Sequence, residues 1–156
     1  MRIRTTLTTL TLAAAMIAAP GTVMAQAAKG PRVIALVGTD NLQFSLTTIT
    51  AKPGEALRVT LDTKSMQPKT TMAHNFVLLA PGVEPSGFAM AAAMARSTEY
   101  IPAAAKDKIL VATRLAGAGE TVSADFKAPT KPGRYIYICT FPGHVSGGMK
   151  GVLIVK

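Results

Sequence analysis

Three features of this 156-residue chain predict an all-β fold, a Greek-key antiparallel β-sandwich with one short helical insertion. Short stretches alternate apolar and polar residues, Pro-Gly and Gly-x-Gly turns separate them, and helix-period patterning appears only over residues 84–95.

The chain opens on basic Met1-Arg-Ile-Arg4, followed by an apolar run centred on Leu10 to Ala19 that meets Pro20-Gly21 and then Val23-Met24-Ala25. This reads as a secretory signal peptide, residues 1–25, cleaved before Gln26. The run is too short and too rich in threonine for a membrane anchor, which needs roughly 20 apolar residues. The remainder, residues 26–156, is of a size that encloses one core, so a single domain is expected.

Val33 to Val37 is an apolar run and predicts a strand. Leu42-Gln-Phe44-Ser-Leu46 alternates until Thr47-Thr48-Ile49 shifts the phase, which predicts a second strand with a bulge or bend. After the turn Lys52-Pro53-Gly54-Glu55, Leu57, Val59 and Leu61 alternate in a strand reaching about Asp62, and a polar loop follows from Thr63 to Thr71. His74 to Leu79 predicts a strand ending at Pro81-Gly82. The helix over Glu84 to Ala95 carries Met90 and Met94 at i and i+4, expected to pack it onto the sandwich. Ile109 to Leu115 and Val122 to Phe126 are strands separated by Gly117-Ala-Gly119. Lys131-Pro132-Gly133 turns the chain into a strand from Arg134 to Cys139, and Gly151 to Val155 is the last strand.

Loss of Arg2 and Arg4 takes the formal charge from +9 to +7. Such a surface favours acidic partners by steering encounter. The Lys and Arg residues are scattered rather than clustered, which argues against nucleic acid. An exported chain meets an oxidising compartment, where cysteines pair. Cys139 is the only cysteine, and metal ligation is one way to protect such a thiol.

Cys139-Thr-Phe-Pro-Gly-His144-Val-Ser-Gly-Gly-Met149 places a thiolate, an imidazole and a thioether on one connection between strands. Cys139 leaves its strand on the face shared by Tyr135 and Tyr137, and the Pro142-Gly143 bend swings His144 back toward it. The other histidine of the chain, His74, comes from a distant strand and anchors the loop to the sandwich. Soft sulfur beside imidazole suits copper, with Cys139, His74 and His144 in a plane and Met149 as a long axial ligand. Zinc prefers four closed ligands drawn from Cys, His and carboxylates, and neither segment offers a carboxylate. Both histidines are used, so no Ser-His-Asp set can be assembled, and the chain is expected not to be an enzyme.

These residues resemble the cupredoxin family, the blue type 1 copper proteins, and within it the azurins. The resemblance rests on Met72-Ala-His-Asn-Phe-Val-Leu, on Cys139-Thr-Phe-Pro-Gly-His144 with Met149-Lys-Gly, and on Asp40-Asn-Leu-Gln-Phe44 and Leu115-Ala-Gly-Ala-Gly-Glu120. It implies a monomeric periplasmic electron carrier holding one copper ion, Cu(I)/Cu(II), that serves redox proteins such as c-type cytochromes or periplasmic reductases and oxidases. A periplasmic copper carrier or chaperone is the competing reading, in which Met90 and Met94 present thioethers to Cu(I). A metal-free binding module on the same sandwich is a third.

The resemblance also implies supporting roles. Backbone N–H groups of Asn75 and Phe141 would donate to the Cys139 sulfur, and Asn75 and Thr140 would brace the two ligand segments. His144 would reach the surface within an apolar docking patch of Leu42, Met72, Phe141 and Pro142. Ala73 stands where the azurins carry a glycine whose carbonyl approaches the metal. The spacing from His144 to Met149 is one residue longer than theirs and is similar to that of the auracyanins. Phe76 stands in place of the azurins' buried tryptophan.

Overall fold

The computed structural model describes residues 30–156; the expected signal peptide over residues 1–25 lies outside them. Among the described residues nine strands form two sheets. β1 (Arg32–Thr39), β2 (Gln43–Phe44), β4 (Ala56–Lys64) and β7 (Thr121–Lys127) make one, in the order β2-β1-β4-β7. β3 (Thr48–Ala51), β5 (Val77–Leu79), β6 (Ile109–Ala112), β8 (Gly133–Ile138) and β9 (Lys150–Val155) make the other, in the order β3-β9-β8-β5-β6.

Alternation puts one face of each sheet into a shared core. Leu57, Val59 and Leu61 of β4 are each 0% exposed and meet Leu78, Tyr135, Tyr137 and Leu153 of the facing sheet. Burying each aliphatic side chain this fully contributes about 1.5–3 kcal/mol, so truncating Leu61 to Ala costs about 2–5 kcal/mol. β5 is buried on both faces, which explains its unbroken apolar run. Leu78 points into the shared core, while Val77 and Leu79 join Phe88, Ala92, Ile138 and Val145 in a second cluster under the helix α1 (Pro85–Ala93).

Both sheets are mixed rather than wholly antiparallel. β1 runs parallel to β4, and β3 parallel to β9. The bend predicted after Leu46 is the cause of the second pairing: β2 stays beside β1, whereas β3, past the phase shift at Thr47-Thr48, crosses to the other sheet. The predicted strand from His74 shortens to Val77–Leu79. Upstream of it the backbone is held by side chains, with Phe76 N–H donating to Thr113 Oγ1 at 3.0 Å, and by a single bridge between His74 and Ala116.

Glu84 caps α1 by accepting from the N–H groups of Ser86 and Gly87, and Pro85 occupies its first turn. The expected packing of Met90 and Met94 is corrected here. Phe88 and Ala92, also four apart, form the buried face, which leaves Met90 73% and Met94 88% exposed. At about 100° per residue Met90 lies some 200° round from Phe88.

Candidate metal centre

Cys139 follows the last residue of β8, and its alternation with Tyr135 and Tyr137 delivers the thiol to the inner face of the sandwich. The chain then loops to β9. Cys139 N–H donates to Met149 carbonyl at 3.2 Å and Met149 N–H donates to His144 carbonyl at 2.8 Å, so the loop closes on itself. Gly143 and Gly148 take φ of 84° and 100°, bends that a side chain rarely adopts. His74 enters from the other segment. Its N–H donates to Ala116 carbonyl at 2.9 Å and its carbonyl accepts from Ala116 N–H at 2.8 Å.

The three side chains converge. Cys139 Sγ lies 3.3 Å from His144 Nδ1 and 3.9 Å from His74 Nδ1, and the three donor atoms all fall within 4.8 Å of one another. Bonds of roughly 2.0–2.3 Å spread at 109–120° put donors about 3.5–3.8 Å apart, and the two sulfur–nitrogen separations bracket that value. Among the described residues this is the only such cluster of His, Cys, Asp and Glu. Met149, 0% exposed, brings its methyl against the same place: the methyl carbon and the His74 ring both lie over Gly38. Ala73 carbonyl sits 3.9 Å from the sulfur.

Burial sets the protonation states. It pushes the Cys139 thiol up to about 12, against the opposing pull of backbone N–H groups of Asn75 and Phe141. Burial, and then the neighbouring His74, lowers His144 to about 4. His74 is lowered by burial, with the Asp40 charge opposing. Two neutral imidazoles and a thiol that needs a cation to ionise make a donor set suited to a soft metal, and no carboxylate competes. His74 Nε2 is the one enclosed side-chain nitrogen or oxygen without a hydrogen-bond partner among the described residues.

Asn75 Nδ2 donates to Thr140 Oγ1 at 2.7 Å and Thr140 N–H donates to Asn75 Oδ1 at 2.8 Å, tying the two ligand segments together. Of the candidate docking residues, Phe141 is 8% exposed with its ring centroid 4.8 Å from that of His144. Leu42 is half-buried against Gly147 in the ligand loop, Met72 is half-buried and Pro142 is exposed. Two neighbours went unnoticed in the sequence. Tyr100 meets the Phe141 ring edge-on at 5.2 Å, with no sequence signal to announce it. Gly38 touches His74 and Met149, and a glycine inside an apolar strand is the signal for such a close approach.

The family profile described as copper binding proteins, plastocyanin/azurin family, matches residues 32–156. Auracyanin-A of Chloroflexus aurantiacus is 34% identical over 119 residues, 75% of this chain and 69% of that protein. Azurin of Pseudomonas aeruginosa is 34% identical over 126 residues, 76% of this chain and 81% of that protein. Auracyanin-B of Chloroflexus aurantiacus is 32% identical over 117 residues, 74% of this chain, but the match spans only 48% of that longer protein. Among solved structures, auracyanin A, described as a "blue" copper protein, superposes with a TM-score of 0.71 at 32% identity, covering 81% of this chain and all of that one (100%). The reduced auracyanin of Roseiflexus castenholzii gives 0.71 at 29% identity, covering 82% and 99%. These matches run along nearly the whole described length and agree with the cluster of sulfur and imidazole donors, and the chain belongs to the plastocyanin/azurin family of copper-binding proteins, with copper as its cofactor.

Proposed function

We propose that this chain is a periplasmic blue copper protein that carries single electrons between redox proteins, with residues 1–25 directing export and residues 26–156 acting as one monomeric domain. His74, Cys139 and His144 would hold the copper ion, with the Met149 thioether as a fourth ligand. Bound copper supplies a one-electron couple, Cu(I)/Cu(II). The chain supplies the rest: two anchored segments that hold the donors still, and walls that exclude water.

The observation that carries this reading is a difference in exposure. His74, Cys139 and Met149 are 0% exposed, while His144 is 3% exposed beside Phe141 and the exposed Pro142. A partner meeting that surface therefore reaches one ligand ring without opening the site. No substrate pocket or turnover step is part of the reading. The basic surface selects acidic redox partners, such as c-type cytochromes or periplasmic reductases and oxidases. No helix among the described residues is long and apolar enough to cross a membrane.

Stopped-flow mixing of the copper-loaded protein with a reduced small c-type cytochrome tests it. Rapid, reversible electron exchange with copper retained is expected. Absence of exchange, with transfer of the metal itself to an apo-acceptor, would instead make the chain a copper carrier.

That second reading is favoured by the exposure of Met90 and Met94, four residues apart in sequence; Met90 lines a groove with Gly143, Val145 and Ser146 of the ligand loop. Silver(I), a redox-inert substitute for Cu(I), titrated into Cys139→Ser decides the point. A copper-carrier surface predicts joint movement of the Met90 and Met94 methyl resonances, and weaker silver binding in Met90→Leu/Met94→Leu. Methyls that stay put leave the pair without a metal role.

A further inference from the structure

Gly38 lies in β1, paired with Phe44 of β2 and Thr63 of β4. Its φ is not among the positive values of the chain, so the backbone there is ordinary strand that any residue could adopt. Conformation does not require glycine at this position; space does. A Cβ added at Gly38 would stand 2.8 Å from His74 Cδ2, 2.9 Å from His74 Cγ and 3.1 Å from the Met149 methyl carbon. Carbon atoms in ordinary contact keep about 3.5–4.0 Å apart.

Neither neighbour has much freedom to retreat. His74 is fixed by two backbone hydrogen bonds to Ala116, its ring is enclosed, and the ring of His144 lies 5.0 Å away centre to centre. The Met149 methyl is the far end of a flexible side chain and yields more readily, but Met149 is itself 0% exposed. We infer that Gly38 is a positioning residue of the metal centre: its bare backbone is the wall that fixes the His74 ring face and the resting place of the Met149 thioether relative to each other.

The inference rests on the ligand assignment above, and it gives the placing of the Met149 thioether a structural cause outside the ligand loop. A residue on β1, over thirty positions from His74 and over a hundred from Met149, sets how far the strand may approach both. An added methyl group must displace the thioether, turn the imidazole or lift the end of β1. The first two change the ligand field directly.

Gly38→Ala, loaded with copper, tests this by three readouts other than electron-transfer rate: reduction potential, the copper EPR signal and the ratio of its visible absorption bands. A shift in potential together with an altered EPR signal or band ratio is expected, at unchanged copper stoichiometry. Val59→Ala, which loosens the same sheet four ladder positions along β1 from Gly38, should leave the spectra alone. A Gly38→Ala protein with the parent's potential and spectra would overturn the inference. If Gly38→Ala does not fold, proton NMR of the metal-free parent decides instead. Cross-peaks from the Gly38 α-protons to both the His74 ring and the Met149 methyl are required, and their absence would refute the contact. A parent that binds no copper would defeat the ligand assignment while leaving those cross-peaks as the test of Gly38.

Discussion

Asn75 and Thr140, each fully buried and each the residue after a proposed ligand, exchange two hydrogen bonds of 2.7 and 2.8 Å. One residue on each segment therefore fixes how far apart His74 and Cys139 stand. Asn75→Ala leaves the Thr140 N–H and hydroxyl buried without partners, at about 1–3 kcal/mol for each group. The metal-free variant is expected to unfold at lower denaturant concentration by about 2 kcal/mol or more, and its copper to leave faster. An unchanged midpoint would show that the pair braces nothing.

Proton accounting gives a second prediction. At neutral pH both imidazoles are already neutral and the thiol, pushed up to about 12, is protonated. Copper binding should therefore release close to one proton, from Cys139, measurable by calorimetry in buffers of different ionisation enthalpy. Release of two or more would mean that a histidine is charged before the metal arrives.

The same burial makes the metal-free protein acid-sensitive. The folded pKa of His144 lies below its unfolded value, so the unfolded chain binds the extra proton and stability is lost as pH falls from about 6.5 towards about 4. The loss from this residue is on the order of 3 kcal/mol. Copper holds the nitrogen against protonation, so the loaded protein should keep its melting temperature over that window. Equal acid sensitivity with and without copper would contradict the ligand role of His144.

Met72 lies two residues before His74 and is half-buried. Met72→Glu should slow electron exchange with a cytochrome roughly tenfold, the effect of about 1.4 kcal/mol of docking free energy, while the visible spectrum stays the same. A rate equal to the parent's would remove Met72 from the docking surface.

The scarcity of donors made the centre legible in the sequence. With one cysteine and two histidines, Cys139, His74 and His144 had few ways to combine, and alternation already placed the thiol on the face shared by Tyr135 and Tyr137, which the fold turns inward. Strand pairing was not legible in the same way. Alternation states which face of a strand is buried and says nothing of its neighbour, so the parallel pairs β1–β4 and β3–β9 emerge only in three dimensions. Met90 and Met94 misled because Phe88 and Ala92 share their spacing, and the larger aromatic ring took the buried face. Gly38 escaped notice because its partners, His74 and Met149, lie far along the chain.

The central claim is that the Cys139 sulfur binds copper within this sandwich. The most direct measurement is the visible absorption spectrum of the copper-loaded protein beside that of Cys139→Ser. The account predicts an intense blue thiolate-to-copper charge-transfer band in the parent and none in the variant. A parent that binds one copper yet stays colourless, or a Cys139→Ser protein that keeps the band, would contradict it.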